Sequence, residues 1–189
     1  PSAVAVGLPG GQFGQPVPMS EAEITDITGR FGTCAKACQE AGFTGVQVHA
    51  AHGYLISQFL SPRTNLRKDD YGGTLENRAR ILLEIVSSIR QAVGSSFPIA
   101  VKLNSADFQK GGFEFTDSMQ VAKWLEAASV DVIEISGGTY EQPRLLGVEG
   151  IEEVAEQDVK ASTIAREAYF LEFAIALRQE ISIPLMVTG

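Results

Sequence analysis

Cysteine, histidine and tryptophan are all scarce in this chain of 189 residues, which has two, two and one of them. The two cysteines, Cys34 and Cys38, lie four apart within one helix-like stretch, where a disulfide has poor geometry, so no disulfide framework is available. No second cysteine pair exists to complete a zinc site of the usual spacing, which leaves two thiols expected on a buried helix face. Positive charge is also short. Fifteen Lys and Arg face 23 Asp and Glu, a net charge of -8 with a pI near 4.8, which argues against a nucleic-acid or anionic-membrane surface. No apolar run is long enough to cross a membrane, and no charged-then-apolar signal segment opens the chain. These absences leave a soluble, cytoplasmic protein acting on small molecules as the expectation.

What is present is a core. Hydrophobic residues make up 44% of the chain and the mean hydropathy is +0.06, enough for one sizeable domain and unlike a disordered segment. Gly7 to Met19 reads as a loop rich in Gly and Pro, and Gly7, Gly10, Gly11 and Gly14 do not form a dinucleotide fingerprint because no strand leads into them. Ser20 and Glu23 have the spacing of a capping box at the head of a helix over Glu21 to Ala41, with Ile24, Ile27, Phe31, Cys34, Ala35 and Cys38 on one face. A strand at Gly45 to Val48 follows. A polar loop from Ser61 to Asn77 precedes a second helix marked by Ile81, Leu82, Ile85, Val86 and Ile89. Strand Ile99 to Asn104, a helix from Thr116 carrying Val121, Trp124 and Leu125 in the core, strand Val130 to Ser136, helix Ala168 to Glu180 and strand Leu185 to Val187 complete the order. Alternation of helices with apolar strands implies a parallel sheet, either a barrel or a doubly wound sheet.

The most informative run is His49-Ala50-Ala51-His52-Gly53-Tyr54, where two imidazoles and a phenol follow an apolar strand. Parallel α/β proteins do their chemistry at the carboxyl ends of strands. These three rings suit polarising an oxygen and donating a proton. A metal is the weaker reading, because the zinc pattern has Glu after the first His and the chain has no third histidine. Two structural histidines packed on a tyrosine is the plain alternative. Arg78, Asp70 and Asn77 read as residues that satisfy a long loop, Gly72 and Gly73 as turn residues. The pair Gly137 and Gly138 reads either as a strand end or as a point of close backbone approach.

The ring cluster, followed by Ser61-Pro62, Asn65 and Arg67, then Asp70-Tyr71-Gly72-Gly73, Glu76-Asn77-Arg78, Val101-Lys102-Leu103-Asn104 and Ile133-Glu134-Ile135-Ser136-Gly137-Gly138, resembles the Old Yellow Enzyme family of FMN-dependent NAD(P)H oxidoreductases. The resemblance spans essentially the whole chain. It implies a (β/α)8 TIM barrel of which this chain forms about half, strands four to seven with their helices, as a single partial domain over 1–189. It implies FMN as cofactor, NADH or NADPH as hydride donor, and an activated alkene or related electron-poor acceptor, the reaction of an ene-reductase. On the matching positions, His49 and His52 are expected to bind the substrate oxygen, Tyr54 to donate the proton, and Lys102 to bind the flavin near its N1 and C2 carbonyl, where relatives often carry Arg. The runner-up expectation is a catalytically silent half-barrel whose exposed strand edges favour self-association into a homo-oligomer.

Overall fold

A computed structural model describes residues 1–2, 14–139 and 170–187. Most of the Gly7 to Met19 loop, the start of the helix expected from Ala168 and the terminal Gly189 therefore lie outside the described residues. Helix α1 (Glu21–Glu40) starts where the sequence places its capping box: the Glu23 amide donates to Ser20 Oγ at 3.3 Å, and the Ser20 amide donates to the Glu23 carboxylate at 2.7 Å. Such a box stabilises a helix by about 1 kcal/mol. Strand β1 (Val46–Ala50) runs into the short helix α2 (Leu55–Leu60), which the sequence pattern does not distinguish from loop. Helix α3 (Leu75–Val93) begins two residues before Asn77, because the Thr74 side chain accepts from the Asn77 amide and serves as the cap. Then follow β2 (Ile99–Asn104), α4 (Phe115–Ala127), β3 (Val132–Ser136), a helix over 170–178 (here α5) and β4 (Leu185–Val187).

The four strands form one parallel sheet in the order β1-β2-β3-β4. Sequential order with a helix in each crossover is the barrel pattern rather than the reversed order of a doubly wound sheet. Side chains alternate on each strand. Val48, Ala50, Ile99, Val101, Leu103, Ile133 and Ile135 are buried in one cluster with Ile81, Leu82, Ile85 and Val86 of α3, Val121 and Leu125 of α4, and Phe173 and Leu177 of α5. Burying each Leu, Ile or Val of this layer is worth about 1.5–3 kcal/mol over leaving it exposed. The alternate positions face the other way. There the register brings His49, Lys102, Glu134 and Met186 side by side across the four strands.

Two expectations from the helical stripes are corrected. Cys34 is exposed and Cys38 half-buried, because α1 meets α3 through Ile24, Gly32 and Ala35 instead. A Cβ at Gly32 would sit 2.6 Å from Ser88 Oγ, so the glycine sets the line of closest approach. Trp124 is only partly buried and flanks a surface groove with Arg80, Leu83 and Glu84, since Val121, Ala122 and Leu125 occupy the inner face of α4.

The loop from Ser61 to Thr74 is built on side chains. Asn65 Nδ2 donates to the carbonyls of Phe59 and Tyr71, both at 2.7 Å, and Arg67 binds Asp69 through Nε. The buried Arg78 guanidinium donates to Leu60 O (2.8 Å), Gly73 O (2.9 Å) and Asp117 Oδ2 (3.0 Å), tying α2, the loop and α4 together. Arg80 donates to the Asp70 carbonyl and the Asn77 side chain. Arg78 thus has the structural role its position suggests, whereas Asp70 takes part through its main-chain carbonyl and Asn77 through a side-chain bond to Arg80. Gly72 lies so close to the Arg67 carbonyl that no side chain fits there.

Candidate active site at the carboxyl end of the sheet

Strand β1 ends by delivering His49 to the open face, and the chain then turns sharply at His52 and Gly53, both with positive φ (61° and 76°). The turn is fixed from three sides. The His52 amide donates to Asn104 Oδ1 (3.2 Å), the Gly53 amide donates to Ser57 Oγ (3.2 Å), and Gln58 Nε2 donates to the Gly53 carbonyl (2.8 Å). As a result the His49 ring meets the His52 ring edge-on with centroids 5.2 Å apart and the Tyr54 ring at 4.7 Å. The three rings named from the sequence do converge. Tyr54, at the N-cap of α2, is 46% exposed, so its hydroxyl-bearing ring is accessible to a small molecule.

Both imidazoles are shifted toward the neutral form, His49 from an exposed place on β1 and His52 from a half-buried one. Burial is the main cause, with the Lys102 ammonium adding to it and the Glu134 carboxylate opposing it; His49 is lowered below its ordinary value and His52 falls to about 4. The Ala51 amide donates to His49 Nδ1 (3.3 Å), which in a neutral ring assigns the proton to Nε2. His52 Nε2 lies 2.5 Å from Ser136 Oγ at the end of β3. A neutral imidazole with its N–H outward is an uncharged donor for an oxygen that gains negative charge in a reaction.

Lys102 is the neighbour of His49 in register and shares its face. Its Nζ donates to Glu134 Oε1 at 2.8 Å, while Gln47 Nε2 donates to Glu134 Oε2 at 2.8 Å. An ammonium has three N–H bonds, so two remain for a ligand. With the Gln47 amide alongside, this donor set fits the carbonyl oxygens and ring nitrogens along the pyrimidine edge of a flavin.

Sequence reasoning missed four residues here. Asn104, 1% exposed, joins three strand ends: besides accepting from His52, its amide donates to Asp107 Oδ1 (3.1 Å) and Gly138 O (2.9 Å). Ser136 holds His52, Glu134 holds Lys102, and Gln47 holds Glu134. The available signals were the polar residues inside apolar strands, Gln47 between Val46 and Val48 and Glu134 between Ile133 and Ile135. The Gly137 position is a close approach: a Cβ there would be 2.7 Å from the Phe108 ring and 3.0 Å from Phe170. Among the described residues no three His, Cys, Asp or Glu side chains gather as a metal site, and no helix is long and apolar enough to cross a membrane.

Comparison with known proteins agrees with this geometry. The chain is 40% identical over its whole length to the NADH-dependent flavin oxidoreductase iliE of Neonectria sp. (strain DH2), spanning 26% of that protein. It superposes with a TM-score of 0.78 on a 2-naphthoyl-CoA reductase in complex with 2-naphthoyl-CoA, at 29% identity, covering 97% of this chain and 26% of that one. The old yellow enzyme homologue from Zymomonas mobilis shares the fold, with a TM-score of 0.67 and 24% identity over 90% of this chain and 43% of its own. The chain thus spans between a quarter and a half of the length of these relatives, and its four strands are about half of a (β/α)8 barrel. Residues 3–170 match the sequence model of one family, and it is the family that the ring cluster and the Lys102 face suggest: this chain belongs to the NADH:flavin oxidoreductase / NADH oxidase family.

Proposed function

We propose that this chain carries the substrate-binding and proton-donating part of an FMN-dependent oxidoreductase that takes hydride from NADH or NADPH and passes it to an activated alkene or related electron-poor acceptor. The observation that carries the reading is the imidazole pair, 5.2 Å apart, with a phenol 4.7 Å from one of them at the carboxyl end of a parallel sheet. Bound flavin supplies the site that receives and returns hydride. His49, through Nε2–H, and His52 bind the acceptor's carbonyl or nitro oxygen and stabilise the negative charge that grows there as the β-carbon is reduced. Tyr54 gives its phenolic proton to the α-carbon, which completes reduction of the double bond. Lys102 and Gln47 would hold the flavin's pyrimidine edge.

The test is Tyr54→Phe in the intact, flavin-loaded protein. Alkene reduction should slow by roughly 10²–10⁴-fold, the range of general acid catalysis, while flavin bleaching by NADH keeps its rate. Unchanged alkene turnover would remove Tyr54 from the chemistry. A second reading, a silent association module, draws on the edge strand β4, where Met186 and Val187 are 41% and 44% exposed and Val187 shares a surface groove with Ile175 of α5. A chain that self-associates on size exclusion and carries no flavin would favour it.

A further inference from the structure

Glu134 is a charged residue on the open face that the proposed reaction does not use. It sits in the middle of an apolar strand, is 5% exposed, and both of its carboxylate oxygens are occupied, one by Lys102 and one by Gln47. The Lys102 side chain is 22% exposed and that of Glu134 only 7%, so the pair is shielded from the solvent screening that weakens surface ion pairs. Carboxylates are seldom buried unless they are paired and hydrogen-bonded, and this one has both kinds of support from two different strands. The layer made by His49, Lys102 and Glu134 therefore has two neutralising charges and a neutral ring. Its net charge is zero, where an unpaired Lys102 would leave it at +1.

We propose that Glu134 is a positioning residue that fixes the Lys102 ammonium and offsets its charge, and thereby lowers the reduction potential of the flavin held on this face. The inference rests on the assignment of Lys102 to the flavin. Gln47, from β1, holds the second carboxylate oxygen, so Glu134 is fixed as the partner that orients the Lys102 ammonium. Two-electron reduction leaves negative charge on the flavin. A cation nearby favours that form, and a carboxylate behind the cation opposes it. Glu134 therefore makes the reduced cofactor a stronger hydride donor toward the acceptor.

The experiment is a spectroelectrochemical titration of the intact FMN-loaded protein as wild type, Glu134→Gln, Lys102→Gln and the double variant. Glu134→Gln should move the midpoint to more positive values and Lys102→Gln to more negative ones. Each shift should equal at least about a tenfold change in the ratio of reduced to oxidised flavin affinity, about 30 mV for a two-electron couple. The double variant, neutral again, should return to near the wild-type midpoint. A purely structural role for Glu134 would weaken flavin binding without opposite, cancelling shifts. If Glu134→Gln keeps its flavin and the midpoint stays or falls, the inference is overturned. Should that variant lose its flavin, the double variant decides, and a midpoint far from wild type overturns it. Wild-type protein that binds no FMN, or a Lys102→Gln midpoint equal to wild type, would instead refute the assignment of Lys102, and this inference with it.

Discussion

Acidification is the sharpest probe of the imidazole pair. An ordinary imidazole titrates near 6.5, and His52 is brought down to about 4, a gap of about 2.5. At ~1.36 kcal/mol per pH unit that gap sets a ceiling of ~3.4 kcal/mol. His52 is only half-buried, so solvent screening reduces the contribution to about 1–2 kcal/mol. The sign follows from proton linkage: between pH 4 and 6.5 the unfolded chain binds the proton and the folded chain does not. Stability is therefore fully present above pH 6.5 and is lost as pH falls toward 4. Long-range ¹H–¹⁵N NMR of the imidazoles in the intact protein, assigned with His49→Gln and His52→Asn, reads both midpoints and both tautomers. His52 should titrate near 4 and His49 below 6.5 with its neutral proton on Nε2. Lys102→Gln should raise both midpoints and Glu134→Gln lower them, because the ammonium depresses and the carboxylate elevates them. Two rings that titrate at or above 6.5 would refute the claim that burial shifts the pair toward the neutral form.

Three further outcomes follow from the same contacts. His49→Ala should weaken binding of a simple phenol to the oxidised flavoprotein at least tenfold by spectral titration, since a phenolate oxygen would bind between the imidazoles; equal affinity would remove His49 from oxygen binding. Arg78→Met leaves Asp117 unpaired and the Leu60 and Gly73 carbonyls short of a donor, and should cost about 3–5 kcal/mol in urea unfolding; a loss under about 1 kcal/mol would show that the guanidinium is dispensable. Gly72→Ala forces a methyl against the Arg67 carbonyl and should destabilise by about 1–3 kcal/mol, and a melting temperature equal to wild type would mean that the loop adjusts at no cost.

The elements with strong local signals were legible in the sequence. The capping box fixed the start of α1, and the Pro98 boundary with apolar alternation fixed β2 to the residue. Helix α2, at six residues, is too short for a periodic stripe, and α3 starts earlier than its apolar stripe suggests because Thr74, inside a polar stretch that reads as loop, is its cap. An apolar pattern turns the thiols of α1 inward because it gives no weight to glycine, yet Gly32 decides where the two helices touch. Within the site, His49, His52 and Tyr54 are close in sequence and were found together. Asn104, Ser136 and Glu134 reach them from other strands, and the register that aligns those strands is not written in any one of them.

The left-handed backbone at His52 places its own demand on that position. Residues branched at Cβ are strongly disfavoured at φ of 61°, whereas Asn, Asp and His are the non-glycine residues that adopt it most readily. Two of those three, Asn and His, can also present an uncharged N–H to a substrate oxygen. The turn therefore screens the side chains available at position 52 before any substrate arrives, and the short list that passes the conformational filter largely coincides with the list that can do the chemistry.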